Sequence, residues 1–353
     1  MPYFSSRSIQ RPSRGLLART SSVSLFFILN TGVAFAQEAN AAAPAATAPT
    51  VPAAPPEPAP PAGAAPPPPY SLPFQLRPAA AATAIRYDEA FGFYEDPGTH
   101  DSGFATVPIL SFSYKVVKGF APIVKLGVVS NSPPDTKNAT TGKVGPQPSG
   151  FDFLNPIVGG TYALELSPEL RLAFFLGFTI PVGGGGGNSP DPGDKAARGP
   201  AGIYTRNAMD NAMFAVDDFT FFPGVDFAFV KAGFTAQAEA TLYQLTRVRG
   251  GGDPTEDASR TNLTMGLHAG YFVVPAISLG AEIRHQRWLS TPKSVTATPP
   301  SRDTTTIAVG PRFHLQVAKG KWLRPGVAFA FPVDEPMTKQ SFKVVQLDIP
   351  FTF

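Results

Sequence analysis

Few side chains in this sequence are placed to do chemistry. The chain has four histidines and no cysteine, which removes thiolate metal sites, cysteine nucleophiles, disulfide frameworks and a lipidated cysteine anchor. His285 and Ser290 stand close enough in sequence for a base and a hydroxyl nucleophile, whereas His100, His268 and His314 have no neighbours that would complete a triad or a metal site. Asp210, Asp217 and Asp218 form an acidic cluster whose spacing matches no calcium loop, so a solvated loop is expected there. Gly183 to Gly187 is an unbroken glycine run, but it lacks the Gly-Lys-Ser/Thr end and the following helix of a phosphate-binding loop. The sequence therefore gives no catalytic residue, no metal site and no cofactor site.

Charge excludes a further class. The formal net charge is +3, but Arg7, Arg11, Arg14 and Arg19 all lie in the first 36 residues, which carry no acidic side chain. Without them the balance is 29 − 4 = 25 basic against 26 acidic residues. No Lys/Arg-rich run remains to form a phosphate footprint, and nucleic acid is set aside. That basic start, the apolar run Val23 to Ala36 and its end Ala34-Phe35-Ala36 make residues 1–36 a secretory signal peptide, cut before Gln37. The run is too short to span a bilayer as a helix, which takes about 20 apolar residues. Residues 37–78 hold 14 of the 40 prolines and little but alanine besides, so they are expected to be an extended, disordered periplasmic linker.

From about residue 79 the period of the apolar pattern is two. In 170–180, Leu170, Leu172, Phe174, Leu176, Phe178 and Ile180 share one face, and Arg171, Ala173, Gly177 and Thr179 the other. In 234–243, Phe234, Ala236, Ala238, Ala240 and Leu242 alternate with Thr235, Gln237, Glu239, Thr241 and Tyr243. Twelve such segments are predicted, at 81–94, 104–116, 119–130, 152–166, 169–182, 217–230, 233–247, 261–273, 277–290, 303–317, 321–333 and 341–353. Their connections alternate between long and short without exception. A transmembrane up-and-down antiparallel β-barrel of about 12 strands has this all-β layout, with lipid around it, short turns on the periplasmic side and both chain ends there. Aromatic residues near the strand ends, Tyr114, Phe120, Phe229, Phe234, Tyr271, Phe313 or Trp322, and Phe353 on the turn side and Phe93, Phe214 and Trp288 on the loop side, are expected to form interfacial girdles.

The last segment, SFKVVQLDIPFTF, places Val345, Leu347, Ile349, Phe351 and Phe353 on one face and ends on an aromatic residue. It resembles the C-terminal strand signature of bacterial outer-membrane β-barrel proteins, porin-like ones among them. The resemblance implies insertion by the barrel-assembly machinery into the outer membrane of a Gram-negative cell. Pro-Gly-x-x-x-x-Phe segments at 223–229 and 325–331 are also loosely similar to uncharacterised barrel families associated with phenol-degradation operons, and no residue role carries over from them.

With the apolar stripe facing lipid, the opposite stripe lines the lumen: Arg86, Asp88, Lys115, Lys125, Glu165, Arg171, Asp226, Glu239, His268, Glu282, Arg284, Arg312, His314, Arg324 and Asp348. The near balance of signs predicts cross-strand pairing and no marked ion selectivity. About eight strands are filled by their own side chains and 16 to 18 leave an aqueous channel, so a barrel of intermediate size is expected to be a passive pore for ions or small solutes, open or plugged by the loop 183–216. The alternatives are a surface-display or adhesion barrel offering loops 131–151 and 183–216, and an outer-membrane lipid hydrolase. Twelve-stranded outer-membrane phospholipases use a Ser/His pair on the outer wall, but the Asn-containing motifs of that family are missing around Ser290. The sequence leaves the solute, the oligomeric state and the role of the proline-rich segment open.

Overall fold

A computed structural model describes residues 70–137, 141–250 and 257–353. The expected signal peptide and residues 37–69 of the expected linker lie outside the described residues. Alternation of apolar and polar residues sets the strands, and they run β1 Ala84–Glu95, β2 Ser102–Ser113, β3 Phe120–Ser132, β4 Gly150–Phe153 with Ile157–Glu165, β5 Leu170–Thr179 and β6 Asp218–Lys231. The second half continues with β7 Phe234–Arg247, β8 Ser259–Val274, β9 Ile277–Trp288, β10 Asp303–Phe313, β11 Lys321–Leu323 with Gly326–Pro332, and β12 Lys343–Thr352. Each pairs antiparallel with its sequence neighbours, and β1 closes on β12 from Ala84 opposite Thr352 to Phe93 opposite Lys343. The result is a closed 12-strand antiparallel barrel. Closure leaves no edge with unpaired N–H and C=O groups, the condition for a sheet to sit in hydrocarbon.

Burial follows the period-two reading. On β8, Met265, Leu267 and Tyr271 are exposed while Thr264, Gly266, His268 and Gly270 are buried. On β5, Phe174, Leu176 and Phe178 face out, and on β12 Val345, Leu347, Ile349 and Phe351 are half-exposed while Gln346 and Asp348 are buried. The outer wall is thus an apolar, lipid-facing belt, with Leu267 as much as 55% exposed. The short turns are tight. Between β6 and β7, Ala232 and Gly233 both take positive φ, 49° and 81°, the geometry of a two-residue hairpin turn whose twist matches its strands.

Strand β4 is broken at Leu154–Pro156, where Leu154 and Asn155 are fully buried. The wall stays joined there because Leu154 N donates to Gly127 O at 2.9 Å. Near the long-loop rim the inward stripe is itself apolar: Val107, Ile109, Val129, Phe175 and Phe222 pack against residues of the loop between β5 and β6. One girdle expectation fails for that reason, since Phe214 is 3% exposed inside this core and not at an interface.

Candidate functional site

Two inserted segments occupy the lumen. The first is Tyr70–Pro78, which the composition assigns to the linker. This part of that reading is corrected: Leu72, Phe74 and Leu76 are buried in the barrel, because here the Pro/Ala monotony gives way to alternating large apolar residues that burial stabilises. Its main chain is held by charged groups of the wall. Glu282 accepts from Phe74 N and from Gln75 N (3.3 Å), and Glu239 accepts from Arg77 N at 2.6 Å. Arg312 donates to Leu72 O at 3.1 Å and to Pro73 O at 2.9 Å, while Arg86 and Gln346 donate to Phe74 O. Glycines make room for it. A Cβ on Gly266 would sit 2.3 Å from Leu76, one on Gly270 2.3 Å from Ser71, and one on Gly280 or Gly326 3.0 Å from the Phe74 ring.

The second insert comes from the long-loop rim. Residues 183–216 fold inward and carry three short helices, α1 Pro192–Ala197, α2 Pro200–Thr205 and α3 Asn211–Phe214. Asp191 caps α1 by accepting from Gly193 N at 2.8 Å. Met213 and Ala212 are fully buried against the apolar inward stripe. Asn155, displaced inward by the break in β4, clamps both ends of the insert: it accepts from Gly183 N at 2.9 Å and donates to Ala215 O at 2.8 Å. The two inserts meet at Gln75, whose Nε2 donates to Arg206 O at 2.7 Å and whose Oε1 accepts from Asn207 Nδ2 at 2.9 Å.

The lumen charges resolve into three buried groups. Arg86 bridges Asp88 (3.0 Å) and Asp348 (2.7 Å), and Arg312 pairs with the other oxygen of Asp348. Arg284 holds Glu282 through Nε at 2.8 Å, with His268 Nδ1 3.5 Å from the same carboxylate. Asp226 and Glu239 flank Arg77, at 3.4 Å and 3.2 Å. The sequence reading missed Arg77 as a lumen cation because it sits in the proline-rich stretch. His314 bonds Ser278 Oγ at 2.9 Å. Lys125, Arg171 and Arg324 line a cavity described below. Lys115 and Glu165 do not belong with these: both are exposed at the short-turn rim, Lys115 beyond the end of β2 and Glu165 at the last position of β4, where the strand stripe no longer faces an enclosed lumen.

Other sequence candidates are dispersed. His285 Nδ1 lies 2.9 Å from Thr305 Oγ1, and Ser290 Oγ accepts from Thr261 N at 2.9 Å, so the hydroxyl and the imidazole are engaged elsewhere. The acidic trio is not a solvated loop: Asp210 pairs with Arg206 at 2.8 Å, Asp217 faces Arg249 at 3.9 Å, and Asp218 pairs with Arg260. Each carboxylate is drawn to a different arginine by the inward fold of the loop. Among the described residues no three His, Asp or Glu side chains gather to hold a metal.

Below the inserts, at the short-turn end, a cavity of about 880 Å³ remains. Its walls include Ala82, Ser113, Val274 and Thr352 from the rim, and Gln75 and Arg206 form its inner limit. Arg77, Arg86, Lys125, Arg171, Arg206 and Arg324 line it, against Asp88 as the one lining carboxylate. The expected charge balance is corrected here. Asp226, Glu239, Glu282 and Asp348 are buried in pairs behind the N-terminal insert, and the surface left for a solute is cationic.

No protein-family model matches the sequence, and neither does any curated protein sequence. Similar solved structures include the COG4313 outer membrane channel from Pseudomonas putida F1, 12% identical, with a TM-score of 0.49 over 79% of this chain and 98% of that one. The NanC porin is 8% identical with a TM-score of 0.42 over 76% of this chain and 98% of its own. The KdgM porin in complex with disordered oligogalacturonate is 9% identical with a TM-score of 0.41 over 76% and 99%.

Proposed function

We propose that this chain is a non-enzymatic outer-membrane barrel that acts as a passive channel for ions or small solutes, with its short turns and both chain termini on the periplasmic side. The observation that carries this reading is the lumen. A closed wall with an apolar exterior encloses a cavity of about 880 Å³ that is capped by two inserts and not by packing of wall on wall. A barrel whose sole role is structural has no need of a solvent-filled vestibule. The inserts are held to each other by the hydrogen bonds of Gln75 to Arg206, Asn207 and Asp210, worth about 0.5–3 kcal/mol each, and by the apolar cluster that holds Phe74 with Tyr204. Passage then needs the N-terminal insert to shift while the wall stays intact. The loop 183–216 is committed to the lumen, which leaves the display reading with the loop 131–151 alone, exposed at 141–144 and 146–149. The signature ending at Phe353 directs insertion through the barrel-assembly machinery.

Single-channel recording of the full mature chain in a planar bilayer tests the reading. Stepwise conductance is expected. Protein that shows the heat-dependent gel shift of a folded barrel yet remains electrically silent, in all salts and at all voltages tried, overturns it.

A further inference from the structure

We infer that the short-turn vestibule is a binding site for small organic carboxylates with an apolar body. Three of its cations have no carboxylate within ion-pair distance among the described residues: Lys125, Arg171 and Arg324. Arg171 lies over the Tyr70 ring at 4.9 Å and Arg324 over the Trp322 ring at 5.3 Å. These stacks fix the guanidinium planes and leave their N–H edges free to take a bidentate oxyanion. Two donors are buried and unpartnered beside the same space, Arg324 Nε and Arg206 Nη1. Buried donors without acceptors are costly, and an anion in the vestibule is the group that would satisfy them.

The rest of the lining sets the body of the ligand. Leu72, Leu76, Phe112, Ile123, Phe272 and Trp322 supply apolar walls, and a cavity of about 880 Å³ is of the size that takes small molecules. A bare inorganic anion would leave those walls in water. A neutral aromatic would leave the cations unpaired. A carboxylate on an aromatic or branched aliphatic frame meets both surfaces. The site goes beyond the channel reading and does not depend on conduction: a silent barrel that binds a carboxylate refutes the channel and leaves this inference standing.

The test is calorimetric titration of the full chain in uncharged detergent with benzoate, and with benzyl alcohol as the neutral isostere. Saturable benzoate binding is expected, at least tenfold tighter than benzyl alcohol. The double variant K125Q/R171Q is expected to weaken benzoate at least tenfold, R171K to fall between the parent and that double variant because a point charge replaces the stacked two-pronged donor, and R287Q, at the exposed opposite rim, to change nothing. A heat-dependent gel shift identifies any variant that has not folded. Equal affinity for benzoate and benzyl alcohol, or benzoate affinity unchanged in folded K125Q/R171Q, overturns the inference.

Discussion

Replacing Glu282 with glutamine should loosen the N-terminal insert from the wall. The carboxylate accepts from Phe74 N and Gln75 N and is itself oriented by Arg284 Nε at 2.8 Å. Bonds to a charged acceptor are worth about 1.5–3 kcal/mol each, and a neutral amide offers one oxygen at about 0.5–1.5 kcal/mol. The variant therefore loses about 2.5–4.5 kcal/mol of attachment, which is about a 60- to 1,600-fold rise in the released fraction at 1.4 kcal/mol per decade. The chain has no cysteine, so S71C supplies a single reporter at a position only 1% exposed. Labelling by a membrane-impermeant maleimide reads the released fraction when closing is fast against reaction. Arg284 keeps Gln346 Oε1 as an acceptor at 3.1 Å, and the temperature of the gel shift, measured in parallel, reports any loss in the wall itself. A labelling rate for E282Q within twofold of the parent, with the gel shift unchanged, would refute the claim that these bonds hold the insert.

Three further outcomes follow from the same geometry. Gly266→Val should raise S71C labelling by steric eviction, because even a Cβ there comes within 2.3 Å of Leu76, and the barrel should keep its gel shift. Leu267→Arg, one residue along but facing lipid, should instead cost about 2–4 kcal/mol of folding stability into bilayers, as measured by urea titration, with insert labelling unchanged. On the insertion role proposed for the C-terminal signature, deleting Phe353 is expected to lower the amount of folded barrel in outer membranes in vivo far more than it lowers refolding into detergent.

The wall was legible in the sequence because lipid on one side and lumen on the other impose a period of two. The segment expected at 233–247 is β7 at Phe234–Arg247, and that expected at 277–290 is β9 at Ile277–Trp288. The filling of the barrel was not legible, because composition averaged over 37–78 hides Leu72, Phe74 and Leu76 among prolines. Two signals pointed to it. Gly266, Gly270 and Gly280 thin the wet stripe where an insert needs room. Val107, Ile109 and Val129 put apolar side chains on the inward face, where water alone would disfavour them. Counting lumen charges by stripe also misled, since the count cannot see which carboxylates an insert covers. Arg77 shows this directly: it brings its own cation to Asp226 and Glu239 and takes both out of the solute's view.

Conduction on this reading requires the N-terminal insert to leave its seat on the wall. Ser71 Oγ donates to Ser278 Oγ at 3.2 Å, so S71C/S278C can be oxidised to tether the N-terminal insert to β9. Single-channel recording of this variant before and after reduction is the most direct measurement. The account predicts rare or absent openings while the tether is closed, and frequent steps at parental conductance once reductant is added. Identical traces in the two states would contradict it.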